Sequence, residues 1–117
     1  MWGVLAAAVG QQRPELSTTL HLSFALADRQ RLEKLLLQAG FRDIRVDAET
    51  REDRFESFDD YWRPIETGVG SIPQAYLMLP ESERRTVRDE VRLRLSRFES
   101  GAGLRMSVEM LIGRGRA

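Results

Sequence analysis

The chain has 117 residues, 42% of them hydrophobic and 31% charged, with 18 basic and 18 acidic side chains. That length suits a single domain, 1–117, burying roughly two thirds of its unfolded surface, and the balanced charge excludes bulk electrostatic attraction to nucleic acid or an anionic membrane. The absence of cysteine excludes disulfide frameworks, thiolate zinc sites, iron–sulfur clusters and cysteine nucleophiles, and it fits a cytoplasmic setting.

The opening Trp2-Gly3-Val4-Leu5-Ala6-Ala7-Ala8-Val9 has the hydrophobicity of a signal-peptide core. It lacks a basic start and is far too short to span a bilayer, so a buried strand end or a helix start is expected. Gly10 to Pro14 reads as a loop, followed by Leu16-Ser17-Thr18-Thr19-Leu20. Asp28 is a good N-cap, because its carboxylate can accept the unpaired amides of a first helical turn. Leu32, Leu35, Leu36 and Ala39 then share one face at helical spacing, and Gly40 follows where a left-handed cap ends a helix.

From Phe41 the period changes to two. Ile44, Val46 and Ala48 alternate with Asp43, Arg45 and Asp47, which predicts a strand over 41–48 that frays through 49–51 and resumes at Arg54-Phe55. Ser57 with Asp59 and Asp60 marks a second helix start, carrying Phe58, Tyr61, Trp62 and Ile65 and stopping near Gly68. Pro64 keeps that helix short or kinked. A loop over 68–73 and a short helical piece at Ala75 to Leu79 precede the longest helix, Glu81 to Phe98, with Val87, Val91, Leu95 and Phe98 as its apolar stripe. After Gly101-Ala102-Gly103, Leu104, Met106, Val108, Met110 and Ile112 alternate with Arg105, Ser107, Glu109 and Leu111 in the clearest strand of the chain.

This order of elements resembles the C-terminal portion of class I S-adenosylmethionine-dependent methyltransferases of the small-molecule type. The residues that carry the resemblance are Trp2-Gly3, Phe24-Ala25-Leu26-Ala27-Asp28 opening a helix, Ala39-Gly40-Phe41 leading into a strand, Phe58-Asp59-Asp60-Tyr61-Trp62 opening an insert, and the ending from Val108 to Arg116. It implies an α/β fold: the C-terminal part of a Rossmann-like methyltransferase, an antiparallel terminal strand pair with about four helices.

In that family the cofactor lies on a glycine-rich loop between a strand and a helix, where glycine lets the backbone approach the ligand. Three glycine pairs invite comparison: Gly68-Val69-Gly70, Gly101-Ala102-Gly103 and Gly113-Arg114-Gly115. None has the strand–loop–helix context in the sequence. The resemblance therefore implies a chain beginning downstream of the cofactor half, with no S-adenosylmethionine site and no catalytic residue of its own. What remains is the substrate-covering region, inactive alone. The alternative is a stand-alone small α/β module that binds or dimerises without catalysis. A third reading is an unrelated α/β protein that takes an apolar ligand around Trp62.

The resemblance places Phe24, Tyr61, Trp62 and Arg63 as substrate-binding residues, since the segment between the last two strands covers the substrate in that family. Aromatic residues at this spacing equally serve to anchor an insert on a sheet. His21, the one histidine, has no partner nearby in sequence for general-base work and reads as a surface residue. One histidine without cysteine disfavours a transition-metal site. The acidic stretch Glu49, Glu52, Asp53, Glu56, Asp59 and Asp60 lacks the glycine-punctuated spacing of a calcium loop and reads as a solvated surface. Arg84, Arg88 and Arg92 form a basic stripe on the long helix, flanked by Glu81–Arg85 and Glu90–Arg94 pairs.

Two strands leave free edges, and an alternating apolar strand with a free edge invites pairing. The expected partner is a second copy in a homodimer joined through the sheet edge, or a complementary polypeptide carrying the cofactor half.

Overall fold

The two alternating segments of the sequence pair with each other into a long ribbon, with most of the helices at one end of it and a single helix over the other. The structure, a computed structural model, describes residues 2–117. Its α/β architecture comprises α1 (Trp2–Gln12), α2 (Ser17–His21), α3 (Arg29–Gln38), β1 (Arg42–Phe55), α4 (Phe58–Glu66), α5 (Ser71–Leu77), α6 (Glu81–Leu95), β2 (Glu99–Ser100) and β3 (Gly103–Arg116). Short 3₁₀ segments fill Pro14–Leu16, Leu22–Ala27 and Ser96–Phe98.

Among the described residues six α-helices stand where about four were expected. The apolar start is helical, α1, and it buries Leu5, Ala6, Ala8 and Val9. The loop expected over 68–73 ends early, because Gly70 at φ 104° opens α5 and Pro73 falls in its first turn, where no amide is needed. The long helix closes at Leu95, and a tighter 3₁₀ turn carries the chain through Phe98.

The caps agree with the sequence reading. The Asp28 carboxylate accepts the Gln30 and Arg31 amides, and the Ser57 hydroxyl accepts the Asp60 amide. Gly40 follows α3 at φ 92°.

The strand expected over 41–48, with a frayed continuation, is one unbroken strand of 14 residues. Its polar middle is held by its partner: β1 and β3 pair antiparallel from Arg45↔Arg114 through Phe55↔Leu104. Fourteen residues extend roughly 46 Å, close to the full 49 Å length of the molecule. The radius of gyration, 16.8 Å, exceeds the about 13 Å of a rounded domain of this size for the same reason.

This register gives the ribbon two faces. Phe55, Leu104 and Met106 share one face and join the core formed by α1, α4, α5 and α6. Val46 and Gly113 lie opposite each other on the other face, under α3. A Cβ on Gly113 would stand 2.9 Å from Leu36 Cδ1 and 3.3 Å from Leu32 Cδ2, so the missing side chain lets α3 lie directly on the strand. The sheet order is β1-β3-β2, and β2 pairs with β3 only at Gly103 and Leu104. Among the described residues no strand pairs with the outer edge of β3 beyond that point.

Candidate functional site

The amphipathic spacing of α4 sends Phe58, Tyr61, Trp62 and Ile65 inward, and all four are buried. Trp62 stacks on Phe58 at 5.6 Å between centroids and meets Tyr76 edge-on at 5.2 Å. Tyr61 meets Phe55 edge-on at 5.4 Å, linking α4 to the base of the ribbon. Such pairs add about 0.5–1.5 kcal/mol each beyond the area they bury. Burial disfavours the phenolate and pushes the Tyr61 hydroxyl up to about 12.

The residues expected to touch substrate therefore separate. Tyr61 and Trp62 are packed side by side in the helical core, shut off from solvent. Arg63 points outward and pairs with Asp60 at 3.1 Å. Phe24 belongs to the 3₁₀ segment Leu22–Ala27, outside that core and 36% exposed.

Around Trp62 the structure builds a polar cluster that the sequence reading missed. The Trp62 indole N–H donates to Glu66 Oε1 at 2.5 Å, and the Tyr76 hydroxyl donates to the same oxygen at 3.1 Å. Glu66 is one helical turn after Trp62, a spacing visible in the sequence; Tyr76 arrives from α5 only through the tertiary fold. Burial first, then the Glu66 charge and hydrogen bond, push the Tyr76 hydroxyl up to about 12, against the opposing pull of Arg84 and Arg88. A cleft of about 250 Å³ opens here between α4, α5 and α6, lined by Glu66, Tyr76, Glu81, Arg84, Arg85 and Arg88.

The basic stripe on α6 thus divides by function. Arg88 binds Asp59 at 3.0 Å, Arg92 lies 5.2 Å over the Phe58 ring, and Arg84 enters the cleft. The two intrahelical pairs form, Glu90–Arg94 at 2.7 Å and Glu81–Arg85 at 3.9 Å.

A second, apolar groove of about 320 Å³ runs along α5 between Leu16, Ala75, Met78 and Leu79. Arg13 at its end is clamped by Glu83 through two hydrogen bonds of 3.0 and 3.3 Å. The acidic stretch is largely neutralised on the spot: Arg51–Asp53, Arg54–Glu52, Arg63–Asp60 and Arg88–Asp59 all pair within 3.1 Å. Among the described residues no three His, Cys, Asp or Glu side chains converge as a metal site. His21 is exposed, and its Nδ1 lies 2.6 Å from the Ser17 carbonyl one turn back in α2.

The three glycine pairs occupy other contexts than a cofactor loop. Gly68 and Gly70 link two helices, Gly101 to Gly103 turn the β2–β3 hairpin, and Gly113 and Gly115 lie within β3. They do not fit the phosphate- or ribose-cradling geometry of a strand–loop–helix turn.

Outside the helical core, large apolar side chains are exposed: Leu22, Phe24 and Leu26, Leu35 and Leu37 of α3, Phe41 and Met110. The segment Leu22–Ala27 contacts both α3 and β3. No family model, curated protein or solved structure matches the chain. Among the described residues no helix is long and apolar enough to cross a membrane.

Proposed function

We propose that this chain is the C-terminal, substrate-covering region of a S-adenosylmethionine-dependent methyltransferase, inactive on its own, that completes its sheet against a cofactor-binding half. The observation that supports this reading is the outer edge of β3, unpaired past Leu104 among the described residues, on a strand whose neighbouring segment Leu22–Ala27 exposes Leu22, Phe24 and Leu26. An open edge beside a cluster of exposed apolar side chains is a surface suited to receiving another strand and its covering helix. The order of α3, β1, the helical insert α4–α6 and the returning β3 also matches the order expected from the resemblance.

In this reading the sulfonium methyl group comes from the cofactor held by the other half, and this chain supplies a lid. Phe24, exposed on the segment that packs on β3, faces the incoming half. Tyr61 and Trp62 hold α4 against the base of the ribbon, and Arg63 lies on the outer surface of that lid. Calorimetric titration of the chain with S-adenosylmethionine is expected to show no saturable binding at micromolar concentration. Mixing with a separate polypeptide that carries a strand–Gly-x-Gly–helix half is expected to give a one-to-one complex and methyl transfer. Saturable binding by this chain alone sinks the reading.

A second copy is the other occupant that the open edge allows, which would make the chain a stand-alone dimerisation module. The alternating Val108, Met110 and Ile112 of β3 favour it, because such a strand pairs readily with its own kind. Sedimentation equilibrium distinguishes the two: a monomer at high micromolar concentration removes the homodimer and leaves the heterologous partner.

A further inference from the structure

We infer that the cleft between α4, α5 and α6 binds the oxyanion end of a small ligand, a carboxylate or a phosphoryl group, with Arg84 as the anchoring cation. The inference is independent of the methyltransferase reading, because the cleft lies among the core helices and not at the open edge of the ribbon. It starts from an unmet donor. Arg84 Nε is shielded from solvent and, among the described residues, has no hydrogen-bond partner, and the Arg84 guanidinium forms no ion pair with them. Folded proteins rarely leave such a group unpaired, and the penalty is larger when it is charged.

The other groups in the cleft are already committed. Arg88 is held by Asp59 at 3.0 Å. Glu66 Oε1 receives both Trp62 and Tyr76, so it is spoken for as an acceptor to protein donors. The Tyr76 proton is directed at Glu66, and its raised pKa keeps it there. Arg85 stands 3.9 Å from Glu81, and both side chains are largely exposed, so that contact yields at little cost. Arg84 and Arg85 thus remain as two cations with donors to give.

The guanidinium fork suits a planar carboxylate or two oxygens of a phosphoryl group. Glu66 and Glu81 line the same cleft and limit the charge it accepts. A single oxyanion fits; a polyphosphate or a nucleic-acid backbone would meet two carboxylates. A volume of about 250 Å³ holds roughly eight waters' share of liquid volume, enough for the acid group and a short organic body against the Tyr76 ring.

The test is a titration of the intact chain with inorganic phosphate and, separately, with acetate, at constant ionic strength set by chloride. The Trp62 indole and Arg84 Nε–H resonances serve as reporters by nitrogen-15 NMR. Saturable shifts with millimolar affinity are expected for at least one probe: phosphate alone points to a phosphoryl ligand, acetate alone to a carboxylate. Arg84→Gln is expected to weaken binding at least about tenfold. Arg84→Lys, which keeps the charge and the volume but loses the fork, is expected to fall between. Arg105→Gln, on the exposed face of β3, is expected to leave binding unchanged. Linear, non-saturating shifts with both probes overturn the proposal. So does equal binding by the wild type and the two Arg84 variants, whose folding is verified by the dispersion of the β1 and β3 amides.

Discussion

The two ends of the ribbon are built from the same pair of strands and yet are packed in opposite ways. At the Phe55–Leu104 end, Leu104 and Met106 of β3 share one buried cluster with residues of α1, α4, α5 and α6, and every buried hydrophobic residue of the described chain except Val46 belongs to that cluster. At the Val46–Gly113 end a single helix, α3, covers one face, and none of its residues is buried. Leu35 is 44% exposed and Leu37 is 62% exposed on that helix. The difference teaches that one end of this protein is stabilised by a closed core, while the other holds together by backbone pairing and one thin apolar contact.

Mutations should report the contrast, beginning with the largest effect. Trp62→Ala removes a buried ring that touches Phe58 and Tyr76 and deprives Glu66 of a donor. It is expected to cost about 3–5 kcal/mol in urea unfolding, with the whole chain affected. A loss below about 1 kcal/mol would show that the helical end is not the stable one.

Alkaline pH acts on the same end. The hydroxyls of Tyr61 and Tyr76 titrate near 10 when unfolded and are pushed up to about 12 when folded. Each therefore holds a proton that the unfolded chain has released, so its contribution is fully present below pH 10 and lost as pH rises towards 12. The expected decline is about 2–3 kcal/mol for Tyr61 and smaller for Tyr76, whose hydroxyl borders the open cleft and is screened by solvent. Tyr61→Phe has no proton to lose, and its stability curve over that window should be the flatter one.

At the other end, Gly113→Val drives a side chain into Leu36 and Leu32. About 1–3 kcal/mol is expected from overpacking, with α3 amides losing hydrogen-exchange protection while the α6 amides keep theirs. Equal loss in both helices would mean that the two ends unfold as one unit. The smallest effect belongs to Leu37→Ser, on the exposed side of α3. It should change stability by less than about 0.5 kcal/mol, and it should slow any concentration-dependent association that the apolar surface supports.

Local order was legible wherever a short-range rule decides it. Asp28 and Ser57 cap the helices they were expected to cap, Gly40 ends α3, and Val87, Val91 and Leu95 form the buried stripe of α6. The continuity of β1 was not legible, because Glu49-Thr50-Arg51-Glu52 has no apolar alternation and extends only through pairing with Ser107 to Met110. The sites divide along the same line. Tyr61-Trp62-Arg63 stood out as an aromatic cluster, but three consecutive helical residues point in different directions, and only the fold shows Arg63 leaving the core. The Arg84 cleft needed side chains from α4, α5 and α6, and no sequence pattern joins residues 66, 76 and 84.

Periodicity and capping are one-dimensional, since each depends on neighbours within about four positions, and so the capped helices α3 and α4, the buried stripe of α6 and the alternating parts of β1 and β3 belong to the sequence alone. Which end of the ribbon receives the helices is a different matter. The register that sets Phe55 opposite Leu104 and Val46 opposite Gly113 places the large side chains under α4 to α6 and a bare glycine under α3. The open edge of β3 follows from that pairing, and the burial of Trp62 and the orphaned Arg84 donor follow from the packing of α4, α5 and α6. They are contacts between residues far apart along the chain, and only the tertiary structure could decide them.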